Sequence, residues 1–331
     1  MRYQTAPRPE AGYGIEPAQS GIMAVVPATV EETTREGYPA LTLSAGDLTA
    51  TFVPQLGMIG ASLTHRGDEL LGQRNGLPAY EAKGSTMGIP LLYPYANRLS
   101  GLEYEAAGRS VAIDPESPQV KLDPNGLPIH GVLTASPHWR VEQHDGGLQA
   151  RLDFGAHPEL LEAFPFPHEL RLGVALDGQG LSIVTTIRAN AGSPVPVSFG
   201  FHPYLTLAGT PREEWHVELP VEDHLSADDK GIPTGAREPA DEHPGPLGER
   251  TYDDGYSGVT GPFVLADAAR RIEVAFTAGY PYAQVYAPEA QELICFEPMT
   301  AATNALVAGS CATVEPGESF DAEFRIAVSE G

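Results

Sequence analysis

The chain has 331 residues, with 20 Lys+Arg against 44 Asp+Glu and a formal net charge of -24. That charge repels nucleic acid and anionic membranes, and no basic cluster overcomes it locally. The 31 prolines and 36 glycines imply many turns and short elements, and they exclude a protein built on long helices.

Residues 1–40 read as an N-terminal tail or surface wrap, the first 20 being polar and rich in Pro and Gly. They contain no apolar core of a secretion signal. No apolar run in the chain approaches the roughly 20 residues of a membrane-spanning helix, so a soluble cytoplasmic protein is expected. From Leu41 the pattern turns to strands, and residues 41–331 read as a single domain. Leu48–Val53 is a strand stopped by Pro54. Trp139, Val141 and Gln143 alternate into Asp145-Gly146-Gly147, and Leu148, Ala150 and Leu152 alternate out, which predicts a hairpin. A second hairpin is predicted from Leu170–Leu176 and Leu181–Ile187 about a turn at Asp177–Gly180. A third is predicted from Ala312–Val314 and Phe320–Val328 about Glu315-Pro316-Gly317-Glu318. Helical periodicity is scarce; Pro158–Phe164 can form a short helix, with Pro158 at its first position.

Residues 226–250 carry little apolar content and read as a long surface connection. No nucleotide-binding, metalloprotease or nucleophile-elbow motif occurs in a meaningful place. The two cysteines, Cys295 and Cys311, are too few for a disulfide scaffold and lack zinc-ligand spacing. Many hairpins with few helices predict an all-β protein, a large antiparallel β-sandwich.

Five stretches combine special backbone residues with polar side chains. In Val197–Leu205, alternation points Phe199 and Phe201 one way and Gly200 and His202 the other. Pro203 restricts His202 to an extended backbone beside Tyr204, and Gly200 is expected to leave room for a ligand. Gly88–Leu99 is an apolar run ending in Asn97-Arg98, a donor/acceptor amide beside a planar fork of donors that suits sugar hydroxyls or a carboxylate. His130 lies between an extended apolar approach and Gly131. Gln284 and Tyr286 share one face of the strand after Tyr280-Pro281. Leu293–Thr300 carries Glu297 in an apolar setting, where an ionised carboxylate is costly unless paired, so Glu297 is a functional candidate.

Taken together, Asn97-Arg98, Pro-x-His130-Gly131, Gly200-Phe201-His202-Pro203-Tyr204 and Phe296-Glu297-Pro298 with Thr303-Asn304-Ala305 resemble the aldose 1-epimerase (galactose mutarotase-like) family, from about residue 45 to the C-terminus. Pro316-Gly317-Glu318 is similar to the family's final turn. The resemblance implies a β-supersandwich with few short helices and a concave face that holds a sugar. It implies Glu297 as catalytic base, His202 as catalytic acid and His130 as a second active-site histidine. It further implies that Asn97, Arg98, Gln284 and an aspartate bind substrate. That aspartate is Asp253 or, in the neighbouring register, Asp254. Val132 follows His130-Gly131 where many relatives have a second glycine, and Gly101 comes one residue early after Asn97-Arg98; both leave the subgroup and the sugar open.

Anomer exchange needs one group to take the C1 hydroxyl proton and another to protonate the ring oxygen, and it needs no cofactor. With ordinary pKa values of about 4.3 and 6.5, Glu is ready as a base while His is largely neutral, so a carboxylate near His202 is expected to favour its charged form. Tyr204 is expected to offer a face to the sugar. A phosphate would need several basic groups; Arg98, Arg66, Lys83 and Arg74 are available but form no cluster, and low basic content favours a neutral sugar over a phosphorylated or acidic one. The expected partner is a small-molecule sugar, with no nucleic acid or membrane, and the protein a monomer or homodimer. Two rivals are a non-catalytic sugar-binding relative and a metal site of His130, His202 and Glu297.

Overall fold

In His168–Asp177 alternate side chains from His168 to Leu176 are buried, and in Gly180–Ala189 those from Leu181 to Ala189. This period of two is what one covered face of a sheet requires. The two strands pair antiparallel from His168↔Ala189 to Asp177↔Gly180, as the second hairpin predicts. The computed structural model describes residues 28–331. Within them, the pair sits in a nine-stranded antiparallel sheet. Its order is Gly245–Pro246, His216–Glu218, Phe263–Ala266, Arg270–Ala278, Ser319–Glu330, Gly180–Ala189, His168–Asp177, Gly147–Asp153 and Arg140–His144.

An eight-stranded sheet lies against it. The strands run in the order Pro233–Pro239, Asp223–Ala227, Tyr252–Ser257, Tyr282–Ala287, Ile294–Met299, Gly200–Phe201 and Leu91–Leu92, with Tyr204–Leu205 also pairing to Ile294–Met299. Aromatic pairs join the inner faces: Phe201 to Phe324 at 4.9 Å and Phe263 to Phe296 at 5.2 Å between ring centres. A five-stranded meander runs from Thr29–Arg35 to Asp68–Glu69. This is the antiparallel sandwich that the sequence pattern predicts, in the β-supersandwich form that the resemblance implies. Helices are short: Gly76–Lys83, Pro158–Leu161 and Ala305–Ala308. Among the described residues no helix is long and apolar enough to cross a membrane.

Four expectations change. Ala312–Val314 pairs with Val195–Val197, not with Ser319–Glu330. Both edges of Ser319–Glu330 are already taken, by Gly180–Ala189 and Arg270–Ala278, so its nearest neighbour in sequence finds another partner. Residues 226–250 are not a plain connection: Asp223–Ala227 and Pro233–Pro239 form a hairpin on the sheet edge. The outer strand is exposed along most of its length, which is why it carries little apolar signal. Of residues 1–40, Thr29–Arg35 pairs with Tyr38–Ala45, so the boundary drawn at residue 41 falls inside a strand; residues 1–27 lie outside the described residues. Finally, Gly200 leaves no room for a ligand. A Cβ there would lie 2.6 Å from the Pro298 carbonyl and 3.1 Å from Ala96 Cβ, so the glycine permits close strand packing.

Arg212 shows how the rim of the cleft sheet is tied down. It is 5% exposed, and its guanidinium donates to the carbonyls of Gly248, Arg250 and Ala287 at 2.7–3.2 Å. Arg212→Leu removes the shared side-chain donor from all three carbonyls. We expect a loss of about 2–3 kcal/mol. A urea titration will show it as a lower midpoint at unchanged slope, and an unchanged midpoint would refute this anchoring role.

Candidate active site

The strand Ile294–Met299 is buried along its whole length because both its faces are covered. Phe296 points into the intersheet core, so Cys295 and Glu297 point the other way, toward Tyr204 and His202, which with His130 and Asp253 line a cavity of about 410 Å³. That volume is within the roughly 300–1,000 Å³ typical of small-molecule sites.

Register then assembles the site. Glu297 lies opposite Gln284, which lies opposite Gly255; one step along, Tyr204 and Tyr286 both lie opposite Cys295, and Asp253 opposite Tyr286. Gln284 is therefore beside Glu297, and its Nε2 donates to Asp253 Oδ1 at 2.9 Å. The same alternation sends Asp254 to the other side, where it meets His224 at 3.0 Å. Of the two candidate aspartates, Asp253 faces the cleft.

His202 follows the short strand Gly200–Phe201 and is held by its N–H to the Pro90 carbonyl at 3.1 Å. Its Nε2 lies 3.2 Å from Glu297 Oε1 and 3.2 Å from the Tyr204 hydroxyl. The Tyr204 ring stacks on the imidazole at 4.2 Å and 6°, and Tyr204 is 1% exposed. Its ring is therefore not open to a sugar, as its sequence position suggested, but is stacked on His202. Tyr286 is the aromatic ring that reaches the cleft half-buried, edge-on to His202 at 5.9 Å.

The remaining predicted residues come from left-handed turns. Asn97 (φ 51°) and His130 (φ 66°) both have positive φ, and the His130 N–H donates to the Asn97 carbonyl at 2.8 Å. Gly131 allows this crossing, since a Cβ there would sit 2.0 Å from the Tyr93 carbonyl oxygen. Asn304 pins the same loop: its N–H donates to the Arg98 carbonyl and its Oδ1 accepts from the Ser100 N–H. Arg98 then reaches Asn97 Oδ1 at 3.1 Å, Asp123 at 3.2 Å and Asp253 at 3.8 Å.

Sequence reasoning placed none of four further contributors in the site, though it counted Arg74 among the basic groups available to a phosphate. Arg74 Nη1 donates to the Tyr204 hydroxyl at 3.3 Å and to the Thr86 carbonyl at 2.9 Å. Thr86 Oγ1 bonds the same hydroxyl at 2.6 Å. Lys121 lines the cavity from the stretch before His130, and Asp123 anchors Arg98. The only signal was a scatter of polar residues within Gly72–Gly88 and Lys121–Gly126, which lacks a recognisable spacing.

Electrostatics also departs from expectation. Burial pushes the Glu297 carboxyl well above the usual range; Asp253 adds to this and Arg98 opposes it. Burial pushes the His202 imidazole down to about 3, with Arg74 and Lys121 adding to the effect. Glu297 is therefore not a ready carboxylate, nor does a neighbouring carboxylate hold His202 charged. A buried pair this close holds one proton in common, either as carboxylic acid with neutral imidazole or as carboxylate with imidazolium. His130 is held neutral, by burial first and then by His202, Lys121, Arg98 and Arg74. It meets His202 edge-on at 5.6 Å. The donor atoms of His130, His202 and Glu297 do not all come within 4.8 Å of one another; His138, His157 and Glu159, away from the cleft, do. Cys295 and Cys311 are both free thiols.

Sequence and structure comparisons point the same way. A family model described as aldose 1-epimerase matches residues 39–327. No curated protein sequence matches the chain. Among solved structures, a galactose mutarotase-like protein from Clostridium acetobutylicum is similar at TM-score 0.81 and 16% identity, over 92% of this chain and 99% of that one. A protein from Synechocystis sp. PCC 6803 is similar at TM-score 0.71 and 24% identity, over 97% and 100%. A galactose 1-epimerase from Lactobacillus acidophilus NCFM is similar at TM-score 0.71 and 15% identity, over 92% and 99%. At these identities the structures speak for the fold, and the match across nearly the whole sequence settles kinship: the chain belongs to the aldose 1-epimerase family.

Proposed function

We propose that the protein is an aldose 1-epimerase that interconverts the α and β anomers of a hexose by acid/base opening and closing of the ring. One observation supports this above the others: Glu297 Oε1 and His202 Nε2 lie 3.2 Å apart at the buried end of the cleft. The hydroxyl and ring oxygens of a pyranose hang from the same carbon. The group that takes a proton from one and the group that gives a proton to the other must therefore be near neighbours. Ring opening moves one proton from the substrate to Glu297 and one from His202 to the ring oxygen. The pair begins and ends with a single shared proton, which is what two oppositely shifted buried groups supply. Asp253, Gln284, Arg98 and Asn97 are assigned to the sugar hydroxyls, and His130 to a neutral hydrogen bond near the reacting carbon. Tyr286 is assigned to the face of the ring.

The direct test is the rate of anomer exchange in freshly dissolved α-hexoses, neutral and 6-phosphorylated, by polarimetry or saturation-transfer NMR. Acceleration supports the assignment, and its absence on every sugar rejects it. The shared proton also sets the pH profile. The pair is inactive once it binds a second proton, which the lowered His202 resists down to about pH 3. It is inactive again once it loses its only proton, which the raised Glu297 resists well above the usual carboxylate range. We therefore expect kcat/KM to be flat through neutrality, with limbs that belong to the pair jointly. An acid limb near 6.5, the value of a free imidazole, would contradict this.

A further inference from the structure

Resting on that assignment, we propose that the substrate carries an anionic group at C6, a phosphate or a carboxylate, received by Arg74 and Lys121. The two cations line the same cavity as His202 and are presented by one short turn. The Lys121 ammonium donates to the Gly84 carbonyl, and Arg74 to the Thr86 carbonyl two residues on. Arg98, the third cation of the cavity, is already matched by Asp123. Among the described residues Arg74 and Lys121 have no carboxylate partner within 4.0 Å. Burial and the charge of Arg74 both pull the Lys121 ammonium below its ordinary value, so the two charges repel each other across the cavity. A chain with 44 Asp+Glu thus sets two cations, Arg74 exposed and Lys121 half-buried, on the cleft wall without a carboxylate partner among the described residues. A neutral sugar would leave them so, whereas an anion makes short, charge-assisted bonds to both.

The contacts in the cleft also say which end of the sugar carries the charge. Arg74 reaches the Tyr204 hydroxyl at 3.3 Å, and that hydroxyl meets His202 Nε2 at 3.2 Å, whereas Arg98 reaches Asp253, which Gln284 ties to the Glu297 side. His202 protonates the ring oxygen, and the carbon beside that oxygen bears C6. A charged group on C6 therefore falls on the side of Arg74 and Lys121. Its arrival offsets the two charges that suppress the imidazolium. It thereby draws the shared proton from Glu297 toward His202, ready for transfer to the ring oxygen. An anionic substrate should gain in kcat as well as in KM.

The experiment compares D-glucose, D-glucose 6-phosphate and D-glucuronate by saturation-transfer NMR, each corrected for its uncatalysed rate. We expect one of the charged sugars to exceed glucose in kcat/KM by about ten- to a hundredfold. Which one it is tells phosphate from carboxylate. Lys121→Gln should lower that preference about tenfold, and Lys121→Arg should restore most of it. Equal turnover of all three overturns the proposal while leaving the epimerase assignment in place. So does a preference that survives in both Lys121→Gln and Arg74→Gln. Turnover of none rejects the assignment itself; calorimetry then decides the subsite, tighter binding of a charged sugar than of glucose supporting it and equal binding overturning it.

Discussion

Glu297→Gln should slow anomer exchange by about three to four orders of magnitude, and His202→Asn by about two to four. The amide keeps the size of Glu297 and its place opposite Gln284, but it cannot take up and return a proton. The loss should fall on kcat, since the sugar hydroxyls are assigned to other residues. Stability should move the opposite way. Glu297 is 2% exposed and its carboxyl is pushed well upward by burial. The folded state therefore holds a proton that the unfolded chain releases at about 4.3. With more protons bound in the folded state, wild-type stability falls as pH rises above that value. Glu297→Gln has no such dependence. It should unfold at or above the wild-type temperature, by a margin that grows with pH until the folded carboxyl ionises. An inactive variant that is also less stable would mean that Glu297 is a structural group. A stable variant that stays active would remove it from the chemistry.

Gly131→Ala should be the most damaging small substitution near the cleft, at about 3 kcal/mol or more of stability. The residue has φ 73°, and a Cβ would lie 2.0 Å from the Tyr93 oxygen and 2.3 Å from its carbonyl carbon. Both atoms are backbone in a strand-like bridge, so neither can step aside by changing rotamer. The displaced chain carries His130 with it, so activity should fall in parallel with stability. Gly101→Ala is the control. It lies close to the same loop, has nothing within 4 Å of the added carbon, and should stay within about 0.5 kcal/mol of wild type. Chemical denaturation of both variants checks the contrast, and near-equal midpoints would show that the crossing at Gly131 is loose.

Much of this was legible in the chain because it depends on local alternation. The hairpins at 140–153 and 168–189 follow from period-two burial and a turn. The histidine and glutamate stand out because titratable groups in apolar strand ends are costly without a purpose. What local pattern could not show is partnership. Glu315-Pro316-Gly317-Glu318 looks like the turn of a hairpin, yet the strands on either side of it join different sheets. Pro233–Pro239 lacks alternation because an exposed edge strand has no face to bury. Arg74 and Lys121 matter only through contacts with Tyr204, Thr86 and Gly84, and such meetings leave no spacing to read. The direction of the Glu297 and His202 shifts was equally hidden, since it follows from how deeply the folded sheet encloses them.

The register of Ile294–Met299 has a consequence for how the molecule matures. It is the strand against which Tyr282–Ala287, Gly200–Phe201 and Tyr204–Leu205 all align. It also brings the only acid group that His202 meets at hydrogen-bond distance among the described residues. Every cavity-lining residue named here leaves the ribosome earlier. The nascent chain therefore carries the residues proposed to face the sugar but not the proposed proton couple until that last strand of its sheet inserts. Pairings so remote in sequence are slow to form. On refolding from denaturant, the return of turnover should lag the return of strand signal, making catalysis itself the clock for closure of the sheet.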